Sequence, residues 1–239
     1  MQPSSRYARQ TLEALRSVGN LKTPVSTHIG ALLKRQWLSD KSFEIIIRVP
    51  PRFAFEPGQR IRLRLGKYER EYSIASAPGE PEIALCVRCV AGGKLSTLLS
   101  VAESGTSLSV NGPYGYFTYK PSPRPAVFVA TGTGIAPFCS MARAGISGFT
   151  LLHGVSLPED LYYAPLLRQS ALRYIPCLTA AEKLPENSFR GNVTEYLEQH
   201  FPPAAYDFYL CGRGEMIRDV TLLIDERFPE SLVYTELFY

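Results

Sequence analysis

Apolar and polar positions alternate in short runs after residue 36, and proline and glycine separate the runs. The clearest run is residues 60–65, Arg-Ile-Arg-Leu-Arg-Leu, in which every second side chain is apolar. Successive side chains of a strand point to opposite faces, so this run predicts a strand with one buried and one arginine-rich face. Further strands are predicted at residues 43–49, 83–90 and 108–110, with a turn at residues 111–113, Asn-Gly-Pro. Short strands at this spacing indicate an antiparallel barrel.

The pattern changes beyond residues 120–125, where three prolines form a stiff linker. Apolar strands are predicted at residues 126–131, 149–154, 172–178, 206–211 and 231–236. Helices are predicted near Phe138, Leu161, Val193 and Ile217, and Asn192 with Glu195 has the spacing of a capping box. Alternating strands and helices predict a parallel sheet covered on both faces. The expected organisation is an N-terminal extension (1–30), a barrel domain (31–122) and an α/β domain (123–239).

Charge is distributed unevenly along the chain. The net charge is +4, but the first 36 residues alone carry +5. A basic segment could attract an acidic protein, a nucleic acid or a membrane surface. A solvated extension is the simpler interpretation, and we expect no nucleic-acid partner.

Cysteine usage and hydropathy bear on location. No apolar run approaches the roughly 18 residues of a membrane span, so we expect none. The five cysteines are odd in number and scattered, which favours a reducing compartment and a cytoplasmic location. Cys86 and Cys89 lack the second pair of a zinc knuckle, and the three histidines lack ligand spacing, so no metal site is expected.

A glycine-containing segment follows the first strand of the α/β unit. Residues 131–137 read Thr-Gly-Thr-Gly-Ile-Ala-Pro and precede a predicted helix. The glycines allow close approach of a pyrophosphate, and the helix N-terminus presents amides to its charge. Pro137 suits the first helical turn, although it stands where a GxGxxG fingerprint has its third glycine. A simple β–α turn is the alternative.

Three further segments carry candidate binding chemistry. In residues 70–73, Arg70 can bind a phosphate, Tyr72 can stack on a flat ring and Ser73 can hydrogen-bond to a ring edge. Residues 93–96, Gly-Lys-Leu-Ser, could form a second phosphate cradle or merely begin a helix. Residues 211–212, Cys-Gly, end a strand at the sheet edge where open α/β sheets bind ligands.

In order and spacing, these segments resemble the ferredoxin–NADP reductase family over roughly residues 33–239. The resemblance implies a two-domain β plus α/β fold: an antiparallel FAD-binding barrel followed by a doubly wound parallel-sheet nicotinamide-binding domain. Residues 70–73 resemble its R-x-Y-S flavin motif, and residues 132–137 match its G-T-G-I-A-P motif. Cys211, Gly212 and Met216 match its C-G-x-x-x-M motif.

The resemblance assigns roles to individual residues. Ser73, Cys211 and Glu236 would be catalytic, with Glu236 as a polar and proton-transfer partner. Cofactor contacts would be made by Arg70, Glu71, Tyr72, Ser73, Cys86, Val87, Arg88, Gly93, Lys94, Leu95, Ser96, Thr131, Gly132, Thr133, Gly134, Pro137, Cys211, Gly212, Met216, Phe238 and Tyr239. Phe238 is similar to the family's removable flavin cover, and Tyr239 extends the chain by one residue. Which of these two rings stacks on the flavin stays open.

The implied function is hydride transfer between a nicotinamide dinucleotide and FAD, with single electrons passing to an acidic carrier protein, ferredoxin or flavodoxin. The chain lacks a Cys-x₄-Cys-x₂-Cys run, so the carrier must be another protein or subunit. A basic docking face or a solvated barrel exterior could be formed by Arg60, Arg62, Arg64, Lys67 and Arg88.

Both NADH and NADPH stay candidates. Family members that use NADPH often place arginines where this chain has residues 153–156 and 179–181, and none occurs there. Lys183 or Arg190 could substitute, so the sequence favours NADH only slightly. Two other functions stay open: a detached reductase subunit of a multicomponent oxygenase or other redox complex, and a non-catalytic flavin- or nucleotide-binding regulatory module.

Overall fold

Two six-stranded sheets organise the chain, one antiparallel and the other parallel. The computed structural model describes residues 27–238, so most of the predicted extension and Tyr239 lie outside it. The first sheet contains β1 (Thr27–Trp37), β2 (Ser42–Arg48), β3 (Arg60–Leu65), β4 (Tyr68–Ser73), β5 (Glu82–Arg88) and β6 (Ser107–Tyr114). Its order is β4-β3-β6-β1-β2-β5, and every pair is antiparallel. Helix α1 (Lys94–Val101) follows β5.

The alternation in β3 produces the predicted two faces. Ile61 and Leu63 are fully buried in the barrel core, whereas Arg64 is exposed. The same core takes the inward side chains Phe43, Ile45 and Ile47 of β2. Burial of this apolar face is the main stabilising contribution of the antiparallel sheet. The prediction of an antiparallel barrel-type domain is confirmed.

Two local features of the first sheet differ from the sequence pattern. Strand β1 begins at Thr27, earlier than the alternation indicates, because it lies between β6 and β2 and hydrogen-bonds to both. The turn predicted at residues 111–113 is wrong, since Asn111 pairs with both β1 and β3 within β6. A register shift between Arg60 and Arg62 accommodates this stretch in the β3–β6 pair. Pairing on both edges has overridden a strong local turn signal.

The second sheet is parallel throughout, as predicted. Its strands are β7 (Ala126–Thr131), β8 (Thr150–Val155), β9 (Arg173–Leu178), β10 (Phe189–Arg190), β11 (Asp207–Arg213) and β12 (Leu232–Phe238). Their order is β10-β9-β8-β7-β11-β12. The helices are α2 (Ala136–Arg143), α3 (Ala164–Ser170), α4 (Val193–His200) and α5 (Gly214–Arg227), with short 3₁₀ turns at Gly132–Ile135 and Pro158–Asp160.

Helix starts and strand composition explain this second layer. Strands β7, β8 and β11 are buried along almost their whole length, as expected of a sheet with helices on both faces. Helix α4 begins with the predicted capping box: Glu195 N–H donates to Asn192 Oδ1 at 2.9 Å, and Asn192 N–H donates to Glu195 Oε2 at 2.8 Å. Within residues 27–238, no helix has the length and apolar character needed to cross a membrane.

The two sheets share one apolar cluster at their junction. Phe117, which leads out of the barrel, packs edge-on against Phe138 of α2 and Tyr209 of β11, at centroid distances of 5.7 and 6.0 Å. Ala75 and Cys86 of the barrel side belong to the same cluster. This shared core packs the barrel side against one face of the parallel sheet and α2. The candidate site lies next to this junction.

Candidate active site

A cleft of about 1120 Å³ opens between the barrel and the carboxyl ends of β7, β11 and β12. It brings together segments that are far apart in the sequence. The predicted site residues that line it are Arg70, Glu71, Tyr72, Ser73, Cys86, Arg88, Gly93, Lys94, Leu95, Ser96, Thr131, Gly132, Thr133, Gly212 and Glu236. The position of the cleft matches the rule that open α/β sheets bind ligands outside the carboxyl ends of their strands.

Strand β4 contributes one wall of the cleft. Tyr72 is half-buried, and burial raises the pKa of its hydroxyl to about 12, so the ring stays neutral. Arg70 is exposed and lines the cleft, and its Nη1 donates to the carbonyl oxygen of Glu69 at 2.8 Å. A flat neutral ring and a guanidinium on one strand suit an aromatic ring system that carries a phosphate.

Ser73 is the last residue of β4 and lines the same wall. Its side chain is only 2% exposed, and Oγ has no hydrogen-bond partner among the described residues. A buried unsatisfied hydroxyl is costly, so such a group calls for a partner that the protein itself does not supply. Ser73 therefore fits a ligand with a polar edge, as the flavin resemblance implies.

Helix α1 points its first turn into the cleft. Gly93, Lys94, Leu95 and Ser96 line it. No side-chain cap satisfies the first amides of α1 within the described chain. The first amides of α1, the positive end of its dipole and the Lys94 ammonium suit the negative charge of a pyrophosphate.

The loop after β7 forms the opposite wall. Thr131, Gly132 and Thr133 line the cleft, and the segment continues through the 3₁₀ turn into α2. Gly134 lies directly on the backbone of Cys211, where a Cβ atom would collide with the carbonyl group. Glycine is required at this position because the close approach leaves no room for a side chain, and the approach holds the loop after β7 against the end of β11.

Cys211 and Glu236 are neighbours across the β11–β12 pair. Cys211 is fully buried in the apolar cluster that the two sheets share, and it does not line the cleft itself. Burial raises the pKa of its thiol well above the usual value, so the sulfur is uncharged. Glu236 is 5% exposed. Burial raises the pKa of its carboxyl against the opposing effect of the Arg60 hydrogen bonds.

An ion-pair network that the sequence did not reveal crosses the cleft. Arg60 Nη1 donates to both carboxylate oxygens of Glu236 at 2.7 Å, and Arg60 Nε donates to Glu71 Oε2 at 2.6 Å. Arg62 Nη2 donates to Glu71 Oε1 at 2.9 Å. This differs from the docking-face expectation for Arg60 and Arg62, because their charges are paired within the cleft. Arg64 and Lys67 stay exposed, and Arg88 lines the cleft.

Other predicted residues lie away from the cleft surface. Val87 packs in the barrel core and Met216 in the core beneath α5. Pro137 is buried in the first turn of α2, which it helps to start. The structure does not describe the side chain of Phe238 or any part of Tyr239, so which ring stacks on the flavin stays open.

The cleft is electropositive. Six cationic side chains line it against three carboxylates, an excess of three positive charges. Arg213 and Thr235, which no motif indicated, also line it, and Arg213 N–H donates to Thr131 Oγ1 at 3.1 Å. Among residues 27–238, no group of three or more His, Cys, Asp and Glu side chains could hold a metal ion. A dinucleotide with a pyrophosphate suits this charge better than a cation does.

Comparison with known proteins agrees with this geometry. Residues 31–119 match the oxidoreductase FAD-binding domain model, and residues 128–221 match the oxidoreductase NAD-binding domain model. Ferredoxin–NADP reductase B of Sorangium cellulosum is 37% identical over 193 residues, which cover 69% of this chain and 77% of that protein. The chain belongs to the ferredoxin–NADP reductase family. It is an oxidoreductase with an FAD-binding and an NAD-binding domain.

Other known proteins are similar to this chain with different coverage. The toluate 1,2-dioxygenase electron transfer component of Pseudomonas putida is 30% identical over 221 residues, covering 85% of this chain and 65% of that protein. The chain therefore spans slightly less than two thirds of that oxygenase component. A ferredoxin NADP⁺ reductase from Neisseria gonorrhoeae, crystallised with FAD and NADP, has the same fold with a TM-score of 0.74 at 23% identity, covering 87% of this chain and 98% of that one.

Proposed function

We propose that this chain transfers a hydride between a nicotinamide dinucleotide and FAD and passes single electrons to a separate carrier protein. The observation that carries the proposal is one cleft lined by Ser73, Glu236 and the loop at residues 131–133, in which the buried Ser73 hydroxyl has no hydrogen-bond partner among the described residues. Bound FAD supplies the redox chemistry, because it exchanges a hydride with nicotinamide and releases its two electrons one at a time.

The barrel residues hold FAD in this proposal. Tyr72 provides the surface for the flat ring system, and Ser73 donates or accepts a hydrogen bond at its polar edge. Arg70, Lys94 and the first amides of α1 bind the pyrophosphate. These groups come from β4 and α1, two rigid elements that support the fixed geometry a flavin site needs.

The α/β residues bring the nicotinamide to the same place. The loop at residues 131–134 binds the second dinucleotide at the N-terminal end of α2, and Gly134 keeps that loop against Cys211. Cys211 lies buried directly behind that loop, with an uncharged sulfur. Glu236 lies one strand away and can hold or exchange a proton, since its pKa is raised by burial.

We further propose that NADH is the preferred nicotinamide. The loop after β9 carries Thr179 and Ala180 where a 2′-phosphate would need a cation. Arg190 is engaged elsewhere: Nη1 donates to the carbonyl oxygen of Ala181 at 2.7 Å and Nη2 to that of Glu182 at 3.2 Å. Of the two cations that could replace the missing arginines, Lys183 is the exposed one without such hydrogen bonds among the described residues. A single flexible ammonium binds a phosphate less specifically than an arginine does.

Replacement of Thr179 tests the nicotinamide preference. Thr179→Arg should raise kcat/KM for NADPH relative to NADH by about tenfold or more, since a charged hydrogen bond contributes roughly 1.5–3 kcal/mol. Thr179→Gln is the matched control without the charge and should leave the ratio near that of the unmodified protein. A wild-type enzyme that already prefers NADPH would contradict the proposal.

The electron acceptor in this proposal is an acidic ferredoxin or flavodoxin. Exposed Arg64 and Lys67 leave positive charge on the barrel surface, and free cysteines throughout residues 27–238 agree with a reducing, cytoplasmic setting. The test is NADH-driven reduction of a purified [2Fe–2S] ferredoxin and of a flavodoxin over a range of ionic strength. The rate should fall as salt rises. A rate that does not depend on salt would argue against charge-guided docking.

A dedicated oxygenase partner is the second candidate. Its support is the 30% identity to the toluate dioxygenase electron transfer component. Affinity purification of the native protein separates the two candidates. One stoichiometric partner would favour the oxygenase subunit, whereas a free enzyme that reduces several carriers would favour the general reductase.

A further inference from the structure

Arg60 joins the two domains at the floor of the cleft. It stands on β3 of the barrel, while Glu236 stands on β12 of the parallel sheet. The Arg60 Nη1 atom lies 2.7 Å from both Glu236 oxygens, and Nε lies 2.6 Å from Glu71. One guanidinium therefore fixes a carboxylate of its own domain and a carboxylate of the other domain at the same time.

A glycine beside the Arg60–Glu236 ion pair leaves space for both side chains. Gly115 has φ +93°, and a Cβ atom there would lie 3.2 Å from Arg60 Nη1 and 3.9 Å from Glu236 Oε2. A side chain at this position would therefore crowd the ion pair. Arg60 also pairs in register with Ser73, so the guanidinium lies beside the strand position that carries the unpartnered hydroxyl.

Arg60 is the charged neighbour of Glu236 that favours its ionised form. Among the described residues, the titratable or charged groups near this carboxylate are Arg60 on β3, Glu71 on β4, Cys211 on β11 and Arg213 at the end of β11. Burial and Glu71 disfavour the ionised carboxylate, and Arg60 is the group that directly hydrogen-bonds to it. The pKa of Arg60 is itself raised, because its hydrogen bonds to Glu236 and Glu71 outweigh burial.

We propose that Arg60 is a positioning residue of the flavin–nicotinamide reaction, which holds the Glu236 carboxylate in place and opposes its protonation by linking it to Glu71 and the barrel. The proposal rests on the proposed role of Glu236 in hydride transfer. Arg60 itself acts through Glu236 and is not assigned to the reacting atoms.

The test compares Arg60→Met with the FAD-loaded wild type. The protonation midpoint of Glu236 is read from the infrared carboxylic-acid band that disappears in Glu236→Gln. Loss of the cation should raise this midpoint by about 1–3 pH units. The pH profile of flavin reduction by NADH should shift upward with it, and reduction near pH 7 should slow by about tenfold or more.

Two other variants control the experiment. Arg48→Met removes an exposed arginine of the same domain and should change neither the midpoint nor the profile. Arg60→Lys keeps the charge, but a single nitrogen cannot hold both carboxylates in the arginine geometry, so a smaller shift in the same direction is expected. If Arg60→Met does not fold, the folded Arg60→Lys protein decides the question.

An unchanged Glu236 midpoint together with an unchanged pH profile in the Arg60 variants would overturn the proposal. Its failure is distinct from failure of the proposed function. If neither nicotinamide reduces the wild-type flavin, the reaction itself is wrong. In that case the infrared midpoints still decide whether Arg60 controls Glu236.

Discussion

Ser73 is a residue whose side chain suits ligand binding at a cost to the stability of the ligand-free protein. Its hydroxyl is buried without a partner among the described residues, whereas the buried hydroxyl of Ser140 donates to the carbonyl oxygen of Ser76 at 2.7 Å. A bonded buried hydroxyl contributes to stability, and an unsatisfied one costs stability. The two serines should therefore respond in opposite ways to removal of Oγ.

Ser73→Ala should leave the ligand-free protein at least as stable as the wild type and should slow flavin reduction about tenfold or more. Ser140→Ala should lower the free energy of unfolding by about 1 kcal/mol and leave flavin reduction unchanged. Urea unfolding without FAD and stopped-flow reduction with FAD measure the two effects. Normal flavin reduction in Ser73→Ala would remove this serine from the active site.

At the scale of the elements, a buried histidine of β8 is hydrogen-bonded to a tyrosine of the neighbouring strand β9. His153 of β8 is fully buried, and its Nδ1 lies 2.9 Å from the Tyr174 hydroxyl of β9. Burial lowers the pKa of His153 to about 4. Below the ordinary pKa of 6.5 the unfolded chain binds a proton that the folded protein does not. The contribution of neutral His153 to the free energy of unfolding is therefore fully present above pH 6.5 and is lost as the pH falls toward 4.

Acidification from about pH 7.5 to about pH 5 should cost the wild type about 2 kcal/mol through this histidine. His153→Gln removes the titrating group and should lack this part of the loss. His200→Gln, which replaces an exposed histidine of α4, should retain it. Urea unfolding at several pH values measures the difference. Equal pH dependence in the wild type and His153→Gln would show that His153 does not titrate as described.

At the scale of the whole molecule, the shared apolar cluster should make the two domains unfold together. Phe117 is 3% exposed and contacts Phe138 and Tyr209 across the junction. Phe117→Ala should lower the free energy of unfolding by about 3–5 kcal/mol. The neighbouring Tyr116 is 80% exposed, and Tyr116→Ala should cost less than about 0.5 kcal/mol.

Two probes check this coupling during urea unfolding. Fluorescence of Trp37, the single tryptophan, reports on the barrel, and far-ultraviolet circular dichroism reports on both sheets. The wild-type curves should coincide, because a shared core favours a cooperative transition. Separate midpoints for the two probes would mean that the junction does not couple the domains.

Much of the fold and most of the residues that line the cleft could be predicted from sequence. Each motif is a contiguous segment of the chain, and the fold brings these segments together around one cleft. The Arg60–Glu236 pair could not, since its members are 176 positions apart and alternation places Arg60 only on a polar face. The turn predicted at residues 111–113 was wrong because strand pairing with β1 and β3 overrode the local turn preference. Val87 was assigned with its strand, although its side chain faces the barrel core.

The most direct test of the account is anaerobic mixing of the FAD-loaded protein with NADH or NADPH while the oxidised flavin absorbance is followed. The account predicts rapid loss of that absorbance, faster with NADH than with NADPH. A flavin-loaded protein that keeps its absorbance with both donors would contradict hydride transfer at this cleft.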